Sequence, residues 1–202
     1  NDFKLINNIS RKYFEQLQLD IDISDIEKSR LGFYMFILSC VTDITDVEDL
    51  KGLVIDTDFQ RKIYKRTNND LGIDAVYIDE AIEYLFKVSC GFYSVIKGED
   101  QILAQVKSSY SEALENEHSS KFLNTILSGN LDGLDELTKE TVESIIEKYN
   151  SNDIWTTRLY LISNENQRLN LNINEVQSFI DTYDVKVIPI SLDDIVDFIS
   201  DK

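Results

Sequence analysis

One carboxylate, that of Asp74, is the group in this sequence best placed to hold a metal ion. It interrupts an apolar run over residues 73–78, whose composition predicts a buried strand. Burying a carboxylate costs free energy unless a hydrogen bond, an ion pair or a cation compensates it. Asp74 is therefore expected to be either a capping or salt-bridged acid, or a metal ligand.

The cysteines and the histidine give weaker signals for chemistry. Cys40 and Cys90 lie in apolar segments, there is no CxxC pair, and His118 is the single histidine. This pattern favours neither a zinc site nor a disulfide framework. His118 lies within polar residues 115–120 and is expected to be an exposed loop residue rather than a general base.

Helices alternate with strands in the elements predicted to position Asp74. The spacing of apolar residues predicts helices over 3–18, from Ser24 or Asp25 to 41, and over 98–114, 134–149, 176–183 and 193–199. Strands are predicted over 73–78, 155–162 and 185–190. Residues 51–70 show no period, and residues 81–97 fit either a helix or a strand. This order predicts an α/β fold, a mostly parallel sheet covered by helices.

Length and composition predict one folded domain over residues 1–202. Hydrophobic residues make up 43% of the 202 and charged residues 28%, and a single proline with seven glycines leaves little material for a linker. No run approaches the ~20 apolar residues that a membrane span needs, and the N-terminus shows no signal peptide. We therefore expect a soluble, cytoplasmic protein without a membrane partner.

The charge distribution bears on the choice of partner. A net charge of −17 opposes non-specific binding to a phosphate backbone. Cations nevertheless cluster between Lys51 and Arg66, so a nucleic acid would bind through this stretch. Protein partners are the alternative.

Two strings of the sequence resemble known families, and the first surrounds Asp74. Residues 69–79 (NDLGIDAVYID), preceded by residues 33–38 and 54–58, resemble the N-terminal region of the AIPR family of abortive-infection phage-resistance proteins. The start of those proteins is similar to restriction-endonuclease-like nucleases. The resemblance implies a restriction-endonuclease-like mixed sheet flanked by helices, and Mg²⁺-dependent cleavage of a phosphodiester in phage defence.

The same resemblance implies a set of site residues. In such nucleases an Asp on one strand is followed on the adjacent strand by Glu or Gln, one further residue and Lys; two oxygens hold Mg²⁺ and the lysine orients the attacking water. The resemblance assigns Asp74 as the first metal ligand, and Asp70, Asp79 or Glu80 could supply the missing second one. The candidate catalytic residues are Lys87, Lys107 and Gln105. Gln105 and Lys107 fall within the helical pattern of 98–114, where they would point ~200° apart. A solvated helix face is the alternative for this pair, and Lys87 is the alternative lysine.

The second resemblance covers residues 81–126. The strings AIEYLFKVSCGFYS (81–94) and GEDQILAQVK (98–107) are similar to a helical segment of the N-terminal catalytic domain of glutamyl-tRNA reductase. That family's Ser-x-Cys-Asn-Arg element is missing, since Cys40 is followed by Val41, and no Gly-x-Gly-x-x-Gly follows a strand to hold NADPH. A working reductase is therefore not expected. The chain resembles one family over most of its length and a second family over residues 81–126.

Three functional hypotheses follow. The first is a nuclease-like module of an abortive-infection protein, either active with Mg²⁺ or degenerate. The second is a non-catalytic protein-interaction module, favoured by the net charge and the incomplete motif. The third is a glutamyl-tRNA reductase-related fragment that contacts tRNA or that enzyme's partners.

Overall fold

Helices cover both faces of a small mixed sheet in the computed structural model of the chain, which describes residues 2–79, 98–106, 116–151, 154–162, 164, 177 and 180–200. The helices are α1 (Asp2–Glu15), α2 (Asp25–Val41), α3 (Val47–Lys51), α4 (Thr57–Tyr64), α5 (Asn116–Ser128), α6 (Glu136–Tyr149) and α7 (Leu192–Ser200). The strands are β1 (Ala75–Asp79), β2 (Gly98–Val106), β3 (Ile154–Ile162) and β4 (Lys186–Ile190). A single domain over the whole chain stays a prediction.

Helix α2 runs through the core, as its apolar composition predicts. Its side chains from Leu31 to Leu38 are buried, and α1 packs against it. The helix begins at Ser24, whose hydroxyl accepts the N–H of Glu27 at 3.3 Å. A serine in this position satisfies an N–H that the first helical turn leaves without a partner.

Helix α4 lies within residues 51–70, the stretch that showed no period, and α3 ends at the first residue of that stretch. Helix α3 has five residues and α4 has eight, too few for an apolar repeat to emerge. Each is capped by an aspartate: Asp46 accepts the N–H of Glu48, and Asp56 accepts the N–H of Phe59. Their start signals were present in the sequence as acids preceding short amphipathic turns.

The strand order in the sheet is β1-β2-β3-β4. Strand β1 is antiparallel to β2, β2 is parallel to β3, and β3 is parallel to β4. A helix-rich α/β fold with a small mixed sheet is thus confirmed, while its restriction-endonuclease-like arrangement stays a prediction.

The helix predicted over 98–114 is wrong for residues 98–106. These residues form β2, which pairs with β1 on one side and with β3 on the other. Hydrogen bonds from two neighbouring strands outweigh a local helical spacing, because intrinsic preferences amount to less than ~1 kcal/mol per residue. The loop expected around His118 is also wrong, because its backbone belongs to α5.

Buried residues form two clusters, one on each face of the sheet. Tyr160 and Ile162 of β3 join the cluster that contains α1, α2 and α7. Leu159 and Leu161 join the cluster that contains α5 and α6. This alternation follows from the two-residue period of a strand and makes β3 a central, doubly covered element. None of the helices in the described ranges has both the length and the apolarity needed to cross a bilayer.

Candidate acidic site

Three carboxylates meet at the start of β1. Asp56, Asp70 and Asp74 each offer an oxygen, and these oxygens lie within 4.8 Å of one another. Asp74 is 2% exposed and Asp56 is 8% exposed, whereas Asp70 is partly buried. The structure therefore brings together two of the predicted metal ligands and adds Asp56, which had been considered only as part of a flanking string.

Backbone pairing explains why Asp56 lies beside Asp74. The carbonyl oxygen of Asp74 accepts the N–H of Ile55 at 2.8 Å and that of Asp56 at 3.0 Å. An isolated bridge between Val54 and Ala75 extends this pairing by one step. The segment before α4 thus runs alongside the start of β1 and fixes the spacing of the two acids.

Backbone N–H groups orient the other two carboxylates. Asp56 caps α4, accepting the N–H of Phe59 at 2.9 Å. Asp70 accepts the N–H of Thr57 at 3.0 Å and the N–H of Gly72 at 2.8 Å. The carboxylate oxygens are therefore held by the main chain, which limits their freedom to move apart.

Burial and like charge shape the electrostatics of this site. Burial raises the pKa of the Asp70 carboxyl and the neighbouring Asp56 adds to this, although hydrogen bonds from Gly72 and Thr57 act in the opposite direction. Burial, together with the charges of Asp74 and Asp56, also raises the pKa of Tyr34 well above its ordinary value. The Tyr34 hydroxyl thus stays protonated, and it forms a hydrogen bond with Asp56.

The basic groups near the site are engaged elsewhere. Arg30 forms an ion pair with Asp58, and Asp58 also pairs with Arg61 on α4. Within the described residues, neither Asp56 nor Asp70 forms an ion pair with a lysine or arginine. A cation would be the simplest group to offset the clustered negative charge.

The remaining predicted site residues are placed only in part. Gln105 lies on β2, where its backbone pairs with Leu161 of β3, and it is one residue beyond Ala104, the partner of Ala75 in β1. Glu80, Lys87 and Lys107 lie outside the described residues. The catalytic roles assigned to Gln105 and the two lysines stay predictions.

Part of the chain is similar to a known family of proteins. Residues 42–141, just under half of the chain, match the family described as glutamyl-tRNA(Glu) reductase, N-terminal domain. This span contains all three acids of the site, and it is longer than the 81–126 segment whose resemblance was noted from the sequence.

Individual relatives agree with the family match. The glutamyl-tRNA reductase of Fusobacterium nucleatum subsp. nucleatum is 79% identical over 53 residues, which are 26% of this chain and 16% of that protein. The enzyme of Methanocaldococcus jannaschii is 43% identical over 76 residues, 37% of this chain and 19% of that protein. The enzyme of Clostridium acetobutylicum is 56% identical over 45 residues, 22% of this chain and 11% of that protein. The chain thus spans less than a fifth of the length of these relatives.

These matches correct the first functional hypothesis. A nuclease-like module of an abortive-infection protein acting in phage defence is wrong, because the similar proteins are named glutamyl-tRNA reductases. The second resemblance, to a glutamyl-tRNA reductase-like segment, is confirmed. No solved structure matches the chain.

Proposed function

We propose that this chain carries a glutamyl-tRNA reductase-related module that recognises glutamyl-tRNA and does not itself reduce it. The observation that carries the proposal is the family match over residues 42–141, reinforced by 79% identity over 53 residues to a protein of that name. Glutamyl-tRNA is the substrate in the name of these relatives. Recognition of the substrate is the part of their activity that a short shared segment can retain.

Reduction is left out of the proposal on chemical grounds. A hydride transfer needs a bound nicotinamide and a group that holds the acyl substrate beside it. The 202 residues contain no Gly-x-Gly-x-x-Gly and no Ser-x-Cys-Asn-Arg. The charge of −17 further implies that binding depends on a few well-placed groups rather than on a broad basic surface.

Filter binding with labelled glutamyl-tRNA and with the same tRNA after deacylation tests this proposal. We expect tighter binding of the charged form. Gln101 and Gln105 lie four residues apart on β2, in the string that carries the resemblance. Replacing both with alanine removes two amides, and at about 1 kcal/mol per hydrogen bond the expected loss is at least about tenfold in affinity.

The control for this experiment is Asp132→Asn, which changes an exposed acid outside the acidic site and should leave glutamyl-tRNA binding unchanged. Circular dichroism would establish that each variant is folded. Equal binding of charged and uncharged tRNA, or no binding of either, would overturn the proposal.

We also propose that Asp56, Asp70 and Asp74 bind a divalent cation, with Mg²⁺ the simplest candidate. The supporting observation is that three carboxylates lie within 4.8 Å of one another and two of them are buried. Carboxylate oxygens are the ligands that Mg²⁺ and Ca²⁺ prefer in proteins. Such an ion would relieve the repulsion among the acids and tie the segment before α4 to the start of β1.

Cation binding should raise thermal stability in a pH-dependent way. At a Mg²⁺ concentration about 100 times its Kd, a site present only in the folded protein adds about 2.7 kcal/mol. Protons compete with the ion for Asp70, whose pKa is raised by burial. The increase in Tm caused by Mg²⁺ should therefore shrink as the pH falls toward the raised pKa of Asp70.

Matched asparagine variants provide the control for the cation site. Asp74→Asn and Asp70→Asn should each abolish most of the Mg²⁺-dependent increase in Tm. Asp132→Asn removes the same charge from an exposed position and should keep the full increase. An identical increase in all three variants would show that the ion binds elsewhere, and no increase in the unmodified protein would exclude the site.

A further inference from the structure

The strongest concentration of positive charge lies at the end of α4. Residues 61–66 contain four cations and no acid, in a chain whose net charge is −17. The Tyr64 ring is contacted by Lys51 and Arg66, and Lys65 follows Tyr64 in the sequence. We call these four residues the Tyr64 surface. Lys51 and Arg66 both approach the Tyr64 ring, with the Lys51 Nζ 5.5 Å and the Arg66 Cζ 4.6 Å from its centroid.

Several cations in and around α4 form ion pairs with carboxylates of the chain. Arg61 pairs with Asp58, and Lys62 pairs with Glu27 and, at 3.6 Å, with Asp58. Both side chains therefore have carboxylate partners within the chain, although Arg30 shares Asp58 with them. On the Tyr64 surface itself, Lys51 pairs with Glu48 at 2.6 Å.

Arg66 is held in place without being neutralised. Its Nε–H donates to the Oε1 of Gln60 at 2.7 Å, and its guanidinium lies over the Tyr64 ring. Gln60 is itself buried and donates to the carbonyl oxygen of Val54 at 2.7 Å, so the acceptor for Arg66 is fixed. No carboxylate of the described residues lies within ion-pair distance of Arg66, and its two Nη groups have no acceptor there.

Lys65 is a second cation that forms no ion pair with the described residues. It ends α4 in the left-handed region, with φ 56°, and its backbone N–H donates to the carbonyl oxygen of Gln60. Its side chain is exposed. Two adjacent cations, of which Arg66 is oriented by Gln60 and the Tyr64 ring, thus face solvent without a counter-charge from the described residues.

We propose that the Tyr64 surface binds the phosphate backbone of RNA, with the two Nη groups of Arg66 donating to one phosphate and Lys65 contacting the next. This inference rests on the proposed recognition of glutamyl-tRNA, which supplies RNA as the partner. A guanidinium whose plane is fixed by a ring and a hydrogen bond loses little freedom when it binds a phosphate through two parallel bonds. The local positive charge of the Tyr64 surface also explains how a chain with a negative net charge can contact a polyanion.

Fluorescence anisotropy tests the inference with two probes, a short labelled single-stranded RNA and labelled glutamyl-tRNA. Arg66→Ala should weaken binding of both by about tenfold and lower the slope of log affinity against log salt by about one. Arg61→Ala removes the same charge five residues earlier, from a side chain already paired with Asp58. It should change either affinity by less than about twofold.

Two further variants make the test independent of any folding defect. Lys65→Gln alters an exposed side chain and should weaken RNA binding in the same direction as Arg66→Ala, with an unchanged Tm. Arg66→Lys keeps the charge but loses the planar pair of donors, so it should restore only part of the affinity.

Each outcome bears on one of the two claims. Equal losses for Arg66→Ala and Arg61→Ala, or tighter Arg66-dependent binding of a labelled acidic peptide than of RNA, would overturn the inference. If glutamyl-tRNA binds and Arg66→Ala has no effect, the inference fails and the proposed function stands. If the short RNA binds in an Arg66-dependent way but charged and uncharged tRNA bind equally, the proposed function fails and the inference stands. Failure of the chain to bind either RNA would overturn both.

Discussion

Replacement of Gly32 by alanine is expected to lower the free energy of unfolding by about 3 kcal/mol. Gly32 lies on α2 where this helix crosses α1, and a Cβ built there would overlap the carbonyl oxygen of Ser10. It would also lie 2.7 Å from the Ser10 carbonyl carbon and 3.1 Å from the backbone nitrogen of Phe14. Backbone atoms cannot rotate away as a side chain can, so the two helices would have to separate and loosen the cluster between them.

Urea unfolding followed by circular dichroism measures this effect. Gly52→Ala is the matched control, because a Cβ at Gly52 would lie 3.4 Å from the Asp49 oxygen and 3.7 Å from the Glu48 oxygen, close to ordinary contact. Its backbone is already right-handed helical, so alanine should fit there. If both variants unfolded at the same urea concentration, the close approach of α1 and α2 would not be a feature of the folded protein.

Local sequence was sufficient for the elements whose apolar faces are long and regular. Helices α1, α2 and α6 and strands β1, β3 and β4 were each predicted to within a few residues. In each of them the apolar period agrees with the surface that the tertiary structure buries. Strand β2 was not found, because its apolar residues also fit a helix and its state depends on pairing with β1 and β3.

Local sequence was likewise sufficient for only part of the acidic site. Asp74 could be identified because an acid inside an apolar run is unusual, and Asp70 because it closes a turn beside it. Asp56 could not, because it approaches Asp74 only through the backbone pairing between residues 54–56 and 74–75. The short string around Asp74 also suggested the wrong family, since an acid flanked by β-branched residues is common to many buried strands.

Helix α6 begins at a cap that is supplied from a distant part of the chain. Its N-cap residue, Asp135, makes no side-chain capping bond and instead accepts the N–H of Asn69 at 2.7 Å. The Oδ1 of Asn68 caps the helix in its place. It accepts a hydrogen bond from the backbone N–H of Thr138 at 3.3 Å and one from the Thr138 hydroxyl at 2.9 Å. The Nδ2 of Asn68 donates to the carbonyl oxygen of Ile55 at 2.7 Å. One buried amide therefore joins α6 to the segment that positions the acidic site.

Asn68→Ala should consequently cost about 2–3 kcal/mol, since it leaves the carbonyl of Ile55 and the helical N–H of Thr138 buried without partners. The Thr138 hydroxyl keeps the carbonyl oxygen of Asn69, at 2.7 Å, as an acceptor. Thr138→Val removes only the hydroxyl and should cost about 1 kcal/mol. The double variant should cost less than the sum of the two, because the shared hydrogen bond is lost only once. Asn130→Ala, at an exposed turn where the side chain accepts a single N–H, should change stability by less than about 0.5 kcal/mol and serves as the control. Strict additivity of the Asn68 and Thr138 effects in urea unfolding would show that the two residues do not interact, and that α6 is capped by other means.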